Sequence, residues 1–141
     1  MKVEKRSLAL VSGLYLVNAA VGTWLAVRDD LQGRPFGWTT GFSPLPDFLF
    51  GLGTALSAPL LLLVVLVALN LVMLIRRPQS RLAATMIAAL GVGFLIGMLA
   101  EPITWEFLDA GHFAPLLATV LIVNVVLPVA IVILGWRVRN L

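Results

Sequence analysis

Residues 48–75 read FLFGLGTALSAPLLLLVVLVALNLVMLI, residues 76–81 read RRPQSR, and residues 82–100 read LAATMIAALGVGFLIGMLA. Neither apolar run holds a Lys, Arg, Asp or Glu, and the link between them holds three arginines. A helix rises about 1.5 Å per residue, so roughly 20 residues cross a hydrocarbon core about 30 Å thick. Each run is long enough. The link is so short that the two helices must be antiparallel neighbours. The longer run exceeds what a crossing needs. It is expected to tilt, to kink at Pro59, or to begin outside the core.

The rest of the chain repeats the pattern. Residues 8–27 and 114–135 are equally free of charge. The first follows Lys2, Lys5 and Arg6 in the manner of a signal peptide, and is read here as a retained span. Four spans predict an all-α integral membrane protein: one domain over 1–141, a four-transmembrane-helix up-down-up-down bundle. The composition agrees, with 60% hydrophobic and 12% charged residues in 141, against about 25% charged in an ordinary soluble domain. A chain this short cannot bury so much apolar surface within itself.

Charge sets the expected orientation. Lys2, Lys5, Arg6, Arg76, Arg77, Arg81, Arg137 and Arg139 all fall in the termini or the 76–81 link. The links 28–47 and 101–113 hold Arg28 and Arg34 against Asp29, Asp30, Asp47, Glu101, Glu106 and Asp109. Short cytoplasmic loops are rich in Lys and Arg. Both termini are therefore expected in the cytoplasm of a multi-pass protein of the plasma (inner) membrane. Basic residues confined to membrane edges do not make a nucleic-acid face.

The aromatics are lopsided. Trp24, Phe36, Trp38, Phe42, Phe48, Phe50, Trp105, Phe107 and Phe113 fall at the outer end and Trp136 at the inner rim, with Tyr15 and Phe94 deeper. Aromatic belts normally occupy both interfaces. The outer links are expected to fold onto the membrane surface as a cap. Link 28–47, RDDLQGRPFGWTTGFSPLPD, has too many turn formers for one helix. It reads as an interfacial loop, with a lid as the alternative.

Residues 98–113, MLAEPITWEFLDAGHF, gather Glu101, Trp105, Glu106, Asp109 and His112, the only histidine. Pro102 either ends the third helix or kinks it and deprives the Met98 carbonyl of its donor. If the helix continues, Glu101, Trp105 and Asp109 share one face. The group reads first as a solvated acidic rim. Alternatively, with Trp38, it forms an outer mouth or pocket. Glu101 lies nearest the lipid, where an unpaired charge is most costly. Arg28 or Arg34 is its expected partner.

Asn18 and Asn124 sit near the middle of the first and fourth spans, and Pro128 frees the backbone carbonyl of Asn124. A mutual hydrogen bond joining the two helices is expected, with a polar pathway as the alternative. Asn70 reads as another contact between helices. Ala89, Gly93 and Gly97 form a small-residue stripe expected to pack against a neighbouring helix.

With no cysteine and one histidine, disulfides, thiolate metal sites and bis-histidine haem are excluded. No metal, phosphate-loop or dinucleotide motif is present, so no cofactor is expected. In size and span number the chain is similar to small multidrug exporters, but the carboxylate those carry inside the first span is missing from 8–27. A longer first outer loop with a tryptophan resembles claudin-type proteins, without their cysteine pair.

Three functions follow, in order of preference. The first is a small non-enzymatic accessory subunit or lipid-contacting protein, partnered by lipids and by another membrane protein or its own copies. The second is a small oligomeric transporter or channel, with Glu101 at the outer mouth and Asn18 and Asn124 at mid-membrane. The third is a membrane enzyme using Glu101, Glu106, Asp109 or His112.

Overall fold

The computed structural model describes residues 2–76, 78–110 and 114–141, and the side chains of 3–76, 78–107 and 114–141. The described residues are helical apart from short links and two isolated bridges. The helices are α1 (Lys2–Arg28), α2 (Pro44–Phe50), α3 (Leu60–Ile75), α4 (Ser80–Ala100), α5 (Pro102–Ala110) and α6 (Pro115–Arg139). Of these, α1, α4 and α6 are long and apolar enough to cross a membrane. At 16 residues, α3 is shorter, about 24 Å.

The long helices present apolar side chains outward as well as inward. Leu10 and Val17 on α1, Leu61 and Val64 on α3, Ile96 on α4, and Ile122 and Val126 on α6 are all exposed. Water-soluble monomers rarely show so continuous an apolar surface, and these helices suit a lipid surround. Inside the bundle lie two clusters of buried side chains, a larger one that includes Leu8, Tyr15, Leu66, Met73, Ile87, Phe94 and Ile131 and a smaller one that includes Leu25, Leu56, Met98 and Val120. The contact between α4 and α6 is the most extensive, followed by that of α1 with α6 and of α3 with α4.

The α4–α6 register is antiparallel and depends on glycine. A Cβ on Gly91 would press on Ile131 and Val132, and one on Gly135 would meet Ala84 and Ala88 within 2.9 Å. The expected stripe does not do this work. Ala89 and Gly93 are exposed, and a Cβ on Gly93 or Gly97 meets nothing within 4 Å. Apposition is made one face away, at Gly91, and by glycines on the partner helices.

The second apolar run departs furthest from its expected form. Only its 60–75 portion is an apolar helix. Residues 48–50 close α2, and 51–59 are an irregular segment in which Gly53 to Ser57 are all buried. Pro59 stands in extended conformation at the start of α3. Gly53 has φ +93° and approaches Ser57 and Pro59 so closely that no side chain fits. The run thus begins outside the helical span, as its excess length and Pro59 suggested.

Link 28–47 contains the start of α2 and a single 3-10 turn at Pro35–Gly37. Asp30 ends α1 in the left-handed region (φ 53°). The Leu31 N–H donates back to the Ala26 carbonyl at 2.8 Å, a Schellman closure. This turn sends residues 31–34 back over the bundle.

Candidate functional site

The site starts from the irregular segment. Thr54 bridges to Gln32 on one side and to Ser57 on the other. Gly33 lies against Gly53 so tightly that a Cβ would come within 2.7 Å of its carbonyl oxygen. Segments 31–34 and 53–57 therefore form one compact cap. At its deepest point the Leu56 carbonyl accepts a hydrogen bond from Asn124 Nδ2 at 2.7 Å. Asn124 Oδ1 accepts from Asn18 Nδ2 at 2.8 Å, and Asn18 Nδ2 also reaches the Val120 carbonyl at 3.3 Å. The two asparagines do bond to each other, and they also hold the inserted segment. Irregular backbone at this depth is tolerated where it is buried in protein or lines a cavity, and here it does both.

A chamber of about 250 Å³ lies between this segment and the C-terminal half of α4. Tyr15 and Phe94 form its floor, stacked with centroids 4.7 Å apart and planes 23° from parallel. Leu56, Pro59 and Leu62 line one side, Gly93, Gly97 and Met98 another, and Asn124 and Glu101 contribute the polar groups. The missing side chains of Gly93 and Gly97 are what leave the space open. Leu62 and Gly93 are also exposed, so the chamber opens sideways between α3 and α4. Tyr15 and Phe94 are themselves part of the buried core of the bundle.

Glu101 stands at the rim, 6% exposed. It follows the last residue of α4 in extended conformation (ψ 127°), so Pro102 ends that helix and α5 starts anew. The break leaves carbonyls without their usual donors, and α5 side chains supply them. Thr104 Oγ1 donates to the Met98 carbonyl at 2.7 Å, and Trp105 Nε1 donates to that of Leu99 at 2.8 Å. Trp105 is thus a helix-end cap and does not line the chamber.

The partner of Glu101 is neither arginine side chain. The backbone N–H of Arg34 donates to both carboxylate oxygens, at 2.9 and 3.1 Å. Arg28 pairs instead with its exposed neighbour Asp29, at 2.6 Å. Burial pushes the Glu101 carboxyl up to about 7. The Arg34 N–H opposes that rise, the charge of Asp47 adds to it, and the Arg34 charge reduces it.

On the far side of Glu101 is a second, more polar hollow of about 190 Å³, lined by Asp30, Gln32, Arg34, Pro102 and Glu106 among others. Glu101 lines both spaces, while Glu106 faces only the outer one. Trp38 is 76% exposed and lines neither. His112 and the side chain of Asp109 lie outside the described residues.

Comparison with known proteins finds no family, no curated protein and no solved structure that matches this chain.

Two residues gain a meaning the sequence did not give them. Asp47 on α2 is 1% exposed, and its Oδ1 accepts from the Leu52 N–H at 2.9 Å. Its backbone carbonyl accepts from Gly51 and Gly53, so it shapes the turn into the inserted segment. Its Oδ2 is buried without a partner. Asn70 does not join two helices: its Nδ2 donates to Leu66 on its own helix, and its Oδ1 is buried and unpartnered. The overlooked signal was GLGTALSAP, a glycine, serine and proline interruption of an apolar run. Such interruptions point to binding sites in membrane proteins.

Proposed function

We propose that this chain is a non-enzymatic, four-span protein of the plasma membrane with both termini in the cytoplasm, and that it holds a membrane-dissolved molecule at its outer end. In this reading it is a lipid-contacting or accessory protein, serving another membrane protein or its own copies. The chamber carries the proposal. Its lining is mostly apolar, it opens between α3 and α4, and its inner side is closed by the Tyr15–Phe94 stack and the core. A few fixed polar groups in an apolar hollow are the usual make-up of a small-molecule site. At about 250 Å³ it is somewhat smaller than the roughly 300 Å³ at which such sites usually begin, so it suits a compact ligand.

Photolabelling tests this reading. Proteoliposomes would contain a long-chain alcohol bearing a diazirine on its chain. Labels are expected to concentrate on 51–62 and 93–101, relative to the exposed face of α6 at Ile122, Val126 and Ile133. Even labelling of all exposed apolar faces would refute a chamber that takes up lipid-dissolved material.

A second reading, a small transporter, draws on one observation: Glu101 borders both the chamber and the outer hollow. Proteoliposome flux that disappears in Glu101→Gln would select it.

A further inference from the structure

We propose that the chamber binds a lipophilic amine, its ammonium group on the Glu101 carboxylate and its apolar body against Leu62, Phe94 and the open faces of Gly93 and Gly97. The proposal rests on the chamber reading above and adds the chemistry of the ligand.

Four observations carry it. First, Glu101 is buried yet lines the chamber, and among the described residues its only hydrogen-bond donor is one backbone N–H shared between two oxygens. An ionised carboxylate has about four lone-pair sites, so most of its accepting capacity is unused. Second, among the described residues no basic side chain lies within ion-pairing distance of Glu101 or Asp47. Third, Asp47 adds negative charge that is felt at Glu101, and its buried Oδ2 has no partner. Buried charges are normally paired, and among the described residues no buried basic side chain stands at this end of the bundle. The Arg34 guanidinium is exposed on the side of the outer hollow, where Asp30 and Glu106 also face. Fourth, the remaining lining is mostly apolar, and Leu62 and Gly93 bring it to the exposed surface. A freely hydrated metal ion would gain nothing from such walls. A cation carrying a compact apolar body would gain from both parts.

The selectivity follows from the acceptors. An ammonium offers three donors and a full charge, whereas an alcohol offers one donor and none. A carboxylate ligand would be repelled by Glu101 and Asp47.

The test uses the full chain in lipid nanodiscs and two probes of equal shape, aminoadamantane and adamantanol, with binding followed by equilibrium dialysis at about pH 8. Hydrogen bonds to charged groups contribute about 1.5–3 kcal/mol, which corresponds to roughly 10- to 150-fold in affinity. The amine is expected to bind saturably and at least ~10-fold more tightly than the alcohol. Glu101→Gln keeps an acceptor for the Arg34 N–H, so the cap should hold. It is expected to remove the amine's advantage and leave alcohol binding unchanged. Gly97→Leu fills the chamber from its open side and should abolish binding of both probes.

Equal binding of amine and alcohol in the wild type would overturn the amine proposal. If Gly97→Leu still abolished that binding, the chamber reading would stand. Should neither probe bind, or should Gly97→Leu change nothing, both would fall. If Glu101→Gln did not fold, acidification of the wild type would decide. Protonating Glu101 below about pH 7 should weaken amine binding and spare the alcohol, and amine binding indifferent to pH would count against the proposal.

Discussion

Glu101 condenses the chemistry of this chain into one carboxyl group. The sequence placed it at the edge of an apolar run and implied that it needed a companion. The companion is a main-chain N–H, delivered by a cap that packs glycine on glycine at Gly33 and Gly53. No residue-type rule identifies a backbone donor, because every non-proline residue has one. The raised carboxyl value has a consequence for stability. Between its ordinary 4.5 and about 7, the folded state keeps a proton that the unfolded chain releases. Stability is therefore greatest below this window, falls as pH rises through it, and levels off above about 7. Thermal unfolding in detergent from pH 4 to 8 should show this fall in the wild type and a shallower one in Glu101→Gln. Removing the neighbouring charge with Asp47→Asn should move the Glu101 titration toward lower pH, as read by carboxyl NMR. No movement would mean that Asp47 does not act on the site.

At the scale of elements, glycines decide which helix faces meet and which stay apart. The spacing of Ala89, Gly93 and Gly97 signals close approach, yet two of these face a chamber, and the tight contacts are at Gly22, Gly91 and Gly135. A Cβ on Gly22 would lie 2.5 Å from the Leu56 carbonyl oxygen. Periodicity shows that a small face exists and is silent about what stands opposite. Gly22→Ala and Gly135→Ala should therefore destabilise by about 1–3 kcal/mol through overpacking. Gly93→Ala should be neutral, or stabilise by up to about 1 kcal/mol through helix propensity. Thermal midpoints in detergent rank the three, and a Gly93→Ala loss as large as that of Gly135→Ala would refute the assignment of faces. The same limit explains the second apolar run. Its hydropathy is continuous, but Gly53 and Pro59 interrupt its helical backbone. Buried hydrogen bonds from Asn124 and around Thr54 make that interruption affordable at depth.

For the whole molecule, the charge asymmetry predicts which ends share a side. The chain has no cysteine, so single introduced cysteines can report topology without background. Ser7→Cys, Gln79→Cys and Asn140→Cys should resist a membrane-impermeant maleimide in intact cells, and Thr39→Cys should react. Labelling of Ser7→Cys but not Asn140→Cys would mean an odd number of spans. The sequence by itself determined that most of this chain suits lipid, where its long helices run, and that Asn18 and Asn124 face each other across the bundle. Those features follow from transfer of apolar side chains out of water and from helix geometry, both local properties of composition and spacing. Only the tertiary structure decided that part of one apolar run folds as a buried loop, that α4's glycines border a hollow, and that Glu101 is held by a distant backbone amide. Each of these depends on what a residue meets from elsewhere in the chain, and spacing along one segment carries no record of that.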